Sequence, residues 1–412
     1  DNPATTNIDE SYNANHKFYV DGSPTVVDAY IGAWRTVLVS GLNKGGQGIF
    51  ALDVTNPQDT GKPASFSEAN AASIFLWEFT DADDADLGFT YSQPAIVRLQ
   101  NGTWAAVFGN GYNNTVADGN ASTTGDAALY IVNLQTGALI KKISTNVGMA
   151  EDPTGTNRPN GLATVAPVDV DGDASVDYIY AGDLFGNLWK FNLDSTNSNQ
   201  WGLDYKLYQA CAAATCTASN RQPITTRPTI IRHPNSGGQI VLFGTGKYLE
   251  QADNVSLNGG VQSFYAIWDK GSAPSPALNR NNLQQQRILI EDSFEFTGPD
   301  GETITEQLRV TTNDAVNWST KRGWYLDLVS PDGFEGERQV TNSVVRNGRL
   351  IFTTMIPSDT SDPCAPAGTS WIMEMNAATG SRLTYSPFDL NRDDTFSSAD
   401  YVTVVIDGQT VK

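Results

Sequence analysis

The chain has 412 residues and a formal net charge of -20, with 26 lysines and arginines against 46 aspartates and glutamates. Because a phosphate backbone is recognised by clustered lysine and arginine, this balance argues against nucleic acid as a partner. Hydrophobic residues make up 40% of the chain, enough for a substantial core, yet the sequence contains no apolar run long enough to span a bilayer.

A strand pattern recurs along the chain: an aromatic or aliphatic segment ends in Asp or Asn and continues into a polar turn, often Thr-Gly. Six copies start roughly 50–80 residues apart; they lie at 48–57, 128–137, 186–194, 263–271, 323–328 and 370–380. Strands ending in glycine precede several copies, at 36–41, 106–111, 178–182 and 241–246. Such repeated units of three or four strands predict an all-β fold, a β-propeller in preference to an array of β-sandwiches.

The uneven spacing of these copies predicts insertions between strands, at 112–127, 143–162, 195–222 and 271–320. We interpret residues 1–412 as a single propeller domain, with 1–30 and 403–412 as candidate peripheral segments. The first residue is Asp1, and neither a methionine nor an apolar signal region precedes the repeats, so we expect a mature or excised fragment of a larger protein.

A run of alternating acidic residues at 169–177, D-V-D-G-D-A-S-V-D, has the register of a calcium loop. Its candidate ligands at loop positions 1, 3, 5, 7 and 9 are Asp169, Asp171, Asp173, Ser175 (through its main-chain carbonyl) and Asp177. Four carboxylates this close repel one another unless a hard cation neutralises them. Tyr180 stands at position 12, where an EF-hand has a carboxylate, and a strand pattern follows. The sequence therefore predicts a Ca²⁺ loop between two strands; the alternative is a solvated Asp/Gly turn.

A second loop at 389–400, D-L-N-R-D-D-T-F-S-S-A-D, matches the EF-hand register more completely. Its candidate ligands at positions 1, 3, 5, 7, 9 and 12 are Asp389, Asn391, Asp393, Thr395, Ser397 and Asp400. Position 6 is Asp394, and Asp tolerates the left-handed conformation better than most residues. The alternative is an Asx-rich turn that caps a short helix. A third acidic run, at 81–86, has no such register, and we expect a solvated turn there.

Three cysteines and two histidines limit the other chemistry of the chain. Cys211 and Cys216 are close enough in sequence to close a small loop as a disulfide, which suggests an exported protein. Cys364 is left over, either as a free thiol or paired with a part of the protein outside this chain. With only His16 and His233, the sequence argues against a zinc site and against a Ser-His-Asp triad.

Several longer blocks resemble a known family. They include W-R-T-V-L-V at 34–39, L-W-E-F-T-D at 76–81, D-L-G-F-T-Y-S-Q-P at 86–94, V-F-G-N-G-Y-N at 107–113, A-G-D-L-F-G-N-L-W-K-F-N-L at 181–193, F-G-T-G-K-Y-L at 243–249 and G-E-R-Q-V-T-N at 336–342. Together they make most of residues 30–402 resemble the C-terminal domain of the PilY1/PilC family of type IV pilus proteins.

The resemblance implies a modified, quinoprotein-like propeller of seven blades, with Ca²⁺ held between strands by the 169–177 ligands. It implies a non-enzymatic protein of the pilus tip and outer membrane, exported through the periplasm. Such a protein acts in fimbrium biogenesis, opposes pilus retraction and so affects twitching motility, and serves in adhesion. Its implied partners are pilin, minor pilins, and host or abiotic surfaces. The chain has no Arg-Gly-Asp triplet, so integrin binding is unsupported.

The alternative function is a calcium- and pyrroloquinoline-quinone-dependent quinoprotein dehydrogenase. The block at 181–192 resembles the repeat of those enzymes, which are also propellers. They commonly carry two adjacent cysteines against the cofactor, whereas no two cysteines are adjacent here. We therefore interpret the block as shared architecture without shared chemistry, and expect no enzymatic activity.

Overall fold

Antiparallel sheets dominate the fold in the computed structural model, which describes residues 18–57, 66–358, 368–406 and 408–411. The chain divides into two compact units, Asp1–Asp183 with Lys190–Asp204 and Leu184–Trp189 with Tyr205–Lys412. Within the described ranges, none of the helices is long and apolar enough to cross a membrane.

Two four-stranded sheets lie in the first unit, and in each the strands are neighbours in sequence order. The first contains β1 (Thr25–Tyr30), β2 (Trp34–Gly41), β3 (Gly48–Asp53) and β4 (Phe75–Thr80); the second contains β5 (Ala95–Arg98), β6 (Trp104–Gly109), β7 (Ala128–Asn133) and β8 (Leu139–Ser144). Their buried faces share one core that includes Val39, Trp77, Phe79, Phe108 and Tyr130. Such four-stranded antiparallel sheets are the blades of β-propellers.

The third sheet has the order β12-β11-β10-β9. Its strands are β9 (Ala166–Val168), β10 (Tyr178–Gly182), β11 (Asn187–Asn192) and β12 (Gly202–Gln209). β9 and β10 form an antiparallel hairpin in which Tyr178 pairs with Val168 and Tyr180 with Ala166. The acidic run at 169–177 is therefore the connection of this hairpin, as the sequence predicts.

The second unit contains a five-stranded sheet of order β13-β14-β15-β19-β16, in which β16 runs parallel to β19. Its strands are β13 (Thr229–Arg232), β14 (Gln239–Gly244), β15 (Ser263–Asp269), β16 (Gln284–Gln286) and β19 (Gly323–Asp327). A three-stranded sheet is formed by β20 (Val344–Arg346), β21 (Arg349–Thr353) and β24 (Ile372–Asn376). Leu242, Phe264, Trp324, Phe352 and Met375 belong to one buried core.

Three hairpins complete the described strands. They are β17 (Ile288–Thr297) with β18 (Thr303–Thr311), β22 (Ile356–Pro357) with β23 (Gly368–Thr369), and β25 (Val404–Ile406) with β26 (Gln409–Val411). Helices are short; besides α1 (Ala71–Ile74), the 3₁₀ segments are Asn43–Gly45, Glu68–Asn70, Met149–Glu151, Ser198–Gln200, Gln251–Asn254, Ser256–Gly259, Arg280–Asn282 and Ser398–Asp400. The long β17–β18 hairpin lies inside the predicted insertion 271–320.

The predicted strand copies are confirmed: all six contain an observed strand, namely β3, β7, β11, β15, β19 and β24. The glycine-ended strands that precede them are also observed, as β2, β6, β10 and β14. The count of seven blades and the assignment of residues 1–412 to one domain stay predictions.

The Asn-x-x-Thr-Gly ending of two copies has a physical cause. In the turn after β7, the Asn133 side-chain oxygen accepts the backbone N–H groups of Gln135 (2.9 Å) and Thr136 (3.0 Å). Gly137 then takes φ 73°, and a Cβ placed on it would lie 2.6 Å from Trp77. The Trp77 indole N–H donates to the carbonyl of Leu134 at 2.7 Å. Glycine is therefore required both for the left-handed backbone and for the packing of the tryptophan.

The turn after β24 repeats this arrangement in the second unit. The Asn376 side-chain oxygen accepts the N–H groups of Ala378 (3.0 Å) and Thr379 (3.1 Å). Gly380 has φ 66°, and a Cβ there would lie 2.3 Å from the Trp324 indole, whose N–H donates to the carbonyl of Ala377 at 3.3 Å. The repeated sequence motif thus reflects one turn used twice.

Candidate metal site

The loop at 169–177 is closed by backbone hydrogen bonds at its end. The N–H of Asp177 donates to the carbonyl of Val168 at 2.9 Å, and the N–H of Val176 donates to the carbonyl of Arg98, on β5, at 2.9 Å. Ser175 and Asp177 are consequently buried, at 2% and 4% exposure, whereas the preceding residues 171–174 are exposed. The end of the loop is therefore anchored, and its middle faces solvent.

The carboxylate of Asp169 organises the exposed half of the loop. Its two oxygens accept the backbone N–H groups of Gly172 (2.6 Å) and Ala174 (2.9 Å). These bonds, chiefly that from Gly172, hold the pKa of Asp169 below its usual value because they favour the charged form. Ala174, at position 6, takes φ 66°, the left-handed conformation that an EF-hand assigns to its invariant glycine.

Three of the predicted ligands converge. One carboxylate oxygen each from Asp169, Asp171 and Asp177 lie within 4.8 Å of one another. Asp173 is not part of this cluster, and one of its oxygens accepts the N–H of Ser175 at 2.7 Å. Across the described ranges this is the one cluster of at least three His, Cys, Asp or Glu side chains with ligand atoms so close.

Asp177 is the buried carboxylate of this cluster. One of its oxygens accepts the N–H of Val170 at 2.6 Å, and the other accepts the side-chain amide of Gln100 at 2.7 Å. Burial, followed by the negative charges of Asp194, Asp171 and Asp169, raises its pKa. Burial and the neighbouring negative charges disfavour the carboxylate form of Asp177, whereas the hydrogen bonds favour it. A nearby divalent cation would also favour the carboxylate form. The donor set, carboxylate oxygens only, fits a hard cation such as Ca²⁺.

The second loop uses its acidic residues as backbone caps. One oxygen of Asp400 accepts the N–H groups of Leu390 (2.8 Å) and Asn391 (3.3 Å), and the other accepts that of Ser397 (2.7 Å). Ser397 in turn caps the 3₁₀ helix Ser398–Asp400 through the N–H of Ala399 at 3.0 Å. Both of the alternatives drawn from the sequence stay open, since capping and ion binding use the same oxygens.

The other ligands predicted in this loop also bond within it. The oxygens of Asp389 accept the N–H groups of Asp393 (3.1 Å) and Asp394 (2.9 Å), and one oxygen of Asp393 accepts the N–H of Thr395 (2.9 Å). The side-chain amide of Asn391 donates to the other oxygen of Asp393 at 2.9 Å. The carboxylates of this loop do not form a cluster like that of the first loop.

The third acidic run is predicted to be a solvated turn. Only part of it is solvated in the structure. Asp83 is exposed, but the Nζ atom of Lys142 contacts Asp84 at 2.8 Å and Asp86 at 2.9 Å. The hydroxyl of Tyr130 also donates to Asp84 at 2.9 Å. The prediction is therefore wrong for Asp84 and Asp86, because both form ion pairs with a lysine that is distant in sequence.

The structure joins Cys211 and Cys216 in a disulfide, with their Cα atoms 5.5 Å apart. The carbonyl of Cys211 accepts the hydroxyl of the fully buried Tyr265 at 3.0 Å, so the bridge is tied to β15. Cys364 lies outside the described residues.

Three residues around the first loop are not indicated by the sequence pattern. Gln100 bonds Asp177, Arg98 donates to the Ser175 hydroxyl at 3.0 Å, and Asp194 adds a negative charge near Asp177. Gln100 and Arg98 lie 77 residues from their partners, so no local spacing indicates them. Asp194 carries a weak signal, because it ends the strand copy at 186–194, next to the hairpin in the sheet.

Comparison with known proteins places the chain in a family. The PilY1 beta-propeller domain family matches residues 6–298. A type IV pilus biogenesis factor PilY1 homolog from Xylella fastidiosa is 41% identical over 376 residues, which are 89% of this chain and 23% of that protein. The type IV pilus biogenesis factor PilY1 of Pseudomonas aeruginosa PAO1 is 37% identical over 415 residues, which cover 94% of this chain and 33% of that protein.

The fold agrees with this family. The crystal structure of the Pseudomonas aeruginosa PilY1 C-terminal domain superposes with a TM-score of 0.75 at 33% identity, covering 96% of this chain and 77% of that one. The chain spans about a quarter to a third of the length of the curated relatives it matches. Those relatives are named as biogenesis factors, which does not favour the dehydrogenase alternative. The all-β propeller prediction is confirmed, and the chain belongs to the PilY1 beta-propeller domain family.

Proposed function

We propose that this chain is the calcium-binding, regulatory part of a type IV pilus biogenesis factor and tip-associated adhesin, without catalytic activity. The observation that carries the proposal is the convergence of Asp169, Asp171 and Asp177 within 4.8 Å on the β9–β10 hairpin of a PilY1 propeller domain. The names of the relatives support the pilus assignment. In this proposal the protein is exported through the periplasm and acts at the cell surface, in association with the outer membrane.

The loop is suited to act as a switch. Bound Ca²⁺ supplies the positive charge that offsets repulsion among the loop carboxylates. Asp177 joins the two ends of the loop through the N–H of Val170, and Asp169 accepts the N–H groups of Gly172 and Ala174 in its middle. Without a cation, these carboxylates repel one another across an exposed segment, and the loop loses order. A pilus component or surface that recognises the ordered loop would then bind differently in the two states.

Calcium titration of the whole chain by calorimetry, with chelator reversal, tests the metal assignment. We expect Asp177→Ala to abolish binding at this loop while the far-ultraviolet circular dichroism stays that of the wild type, because the core lies in the sheets. Asp83→Ala, in the third acidic run, is the matched control, since Asp83 is an exposed aspartate outside the cluster. Wild-type affinity in Asp177→Ala at this loop would remove the metal assignment.

The pilus role is tested in bacteria that express the complete protein. Asp177→Ala should imitate the calcium-free state, and Asp177→Lys should imitate the filled state by placing an ammonium group near the ion position. At equal surface expression, we expect the two strains to differ in surface piliation, twitching motility and surface attachment. Identical behaviour of both variants and the wild type would leave calcium as a structural ion without a regulatory role.

A further inference from the structure

A short turn after β5 lies against the candidate calcium loop. It is closed by hydrogen bonds between the N–H of Leu99 and the carbonyl of Thr103 (2.8 Å) and between the N–H of Gly102 and the carbonyl of Leu99 (2.8 Å). Gly102 takes φ 83°, which a glycine adopts without strain. Gln100 stands in this turn, so its backbone position is fixed independently of the loop.

Two side chains from this segment contact the loop in different ways. Gln100, a neutral donor, bonds a carboxylate oxygen of Asp177 at 2.7 Å. Arg98, a cation, bonds the hydroxyl of Ser175 at 3.0 Å. The neutral group therefore bonds the candidate metal ligand, while the positive group bonds an uncharged oxygen. A guanidinium on Asp177 would compete with a cation for the same carboxylate, whereas an amide orients it without neutralising it.

We infer that Gln100 is a positioning residue for the calcium loop, which orients the Asp177 carboxylate from the neighbouring sheet and so raises Ca²⁺ affinity. The inference rests on the proposed calcium binding at 169–177. The N–H of Val170 fixes one oxygen of Asp177 and Gln100 fixes the other, so the plane of the carboxylate is set by both. Partners that orient a metal ligand in this way typically contribute about 10- to 100-fold to metal affinity.

The test is Gln100→Met, which keeps an unbranched side chain of similar length and removes the donor. Calorimetric Ca²⁺ titration of the full chain should give an affinity at least about 10-fold weaker than that of the wild type. The matched control is Gln93→Met: Gln93 is also half-buried, and its amide bonds the carbonyl of Pro24 at 3.2 Å instead of the loop. We expect the control to bind Ca²⁺ like the wild type.

Thermal unfolding separates positioning from a purely structural role. A positioning residue affects how much Ca²⁺ raises the melting temperature, so the calcium-induced increase should shrink in Gln100→Met. If Gln100 had only a structural role, Gln100→Met would lower the melting temperature equally with calcium and with chelator. That result would overturn the inference, and so would an unchanged Ca²⁺ affinity. If the wild type itself binds no Ca²⁺, or Asp177→Ala binds it normally, the proposed function fails instead, so the two failures are distinguishable.

Discussion

The two acidic loops begin in the same way. In each, the position-1 aspartate accepts the backbone N–H of the residue at position 6: Asp169 that of Ala174 and Asp389 that of Asp394, both at 2.9 Å. The position-6 residues are both left-handed, with φ 66° and 60°. A shared register therefore gives a shared first half, as expected for loops of the EF-hand pattern.

The loops differ at their last acidic residue. Asp177 is oriented by one backbone N–H and by Gln100 from outside the loop, and its oxygen lies with those of two other carboxylates. Asp400 is 1% exposed and accepts three backbone N–H groups from its own loop. A shared register therefore does not give the last carboxylate a shared arrangement. In the first loop its oxygen lies with those of two other aspartates, and in the second loop its oxygens cap the backbone, while ion binding by either loop stays a prediction.

The number of Ca²⁺ ions bound per chain should show the greatest difference between the loops. We expect Asp169→Ala to remove one Ca²⁺ per chain at saturation, with a loss of affinity at that loop of roughly 100-fold or more, since even outer partners contribute 10- to 100-fold. Asp389→Ala is the corresponding change in the second loop. Metal analysis of both variants shows whether the Ca²⁺ count per chain falls in one of them or in both. A count that falls by one in each would give the second loop an ion as well, as its register predicts, and a fall only in Asp389→Ala would reverse the comparison.

A smaller effect is expected from Asp400→Ala in chelator. This change removes the acceptor of three backbone N–H groups, and the loss of such a cap costs about 2 kcal/mol. Amide hydrogen exchange at Leu390 should therefore accelerate by about 30-fold. Leu390 also packs against Phe296 and Ile304 of the β17–β18 hairpin, so exchange in that hairpin should rise too.

Asp400→Asn is the matched control for this experiment, because it keeps an oxygen acceptor and should show a smaller acceleration. If Asp400→Ala leaves exchange unchanged in chelator but lowers the ion count, the second loop is primarily an ion site and the capping interpretation is wrong.

The smallest effect concerns position 6. The left-handed conformation costs Ala174 roughly 1–2 kcal/mol, and the greater freedom of glycine in the unfolded chain offsets part of the gain from relieving it. We expect Ala174→Gly to stabilise the first loop by about 0.7 kcal/mol, which slows exchange of its amides about 3-fold. Asp394→Gly should change little, because Asp tolerates this conformation. Equal gains in both loops would show that the two position-6 residues are equally strained.

The sequence predicts the loop between β9 and β10 well, since the register of Asp169 to Asp177 and the strand pattern after it are local signals. It also predicts the repeated strands, because their spacing and turn residues recur. It does not predict that Gln100 reaches Asp177 or that Lys142 forms ion pairs with Asp84 and Asp86. Those contacts join neighbouring strands and turns that only the pairing of the sheets brings together, and neither spacing nor composition encodes that pairing.

The Asn turn that ends the strand copies has a consequence for how the repeats can diverge. Where Gly137 and Gly380 pack against Trp77 and Trp324, no side chain fits on the glycine while the ring is present, and the positive φ disfavours one even without the ring. After β11 the Asn192 side chain still accepts the N–H of Asp194, at 2.8 Å, but Thr196 occupies the place of the glycine. Asp194 stands at the turn position that Gln135 and Ala378 occupy in the other two copies. Its negative charge helps to raise the pKa of Asp177, so the end of this strand copy acts on the loop of the neighbouring hairpin.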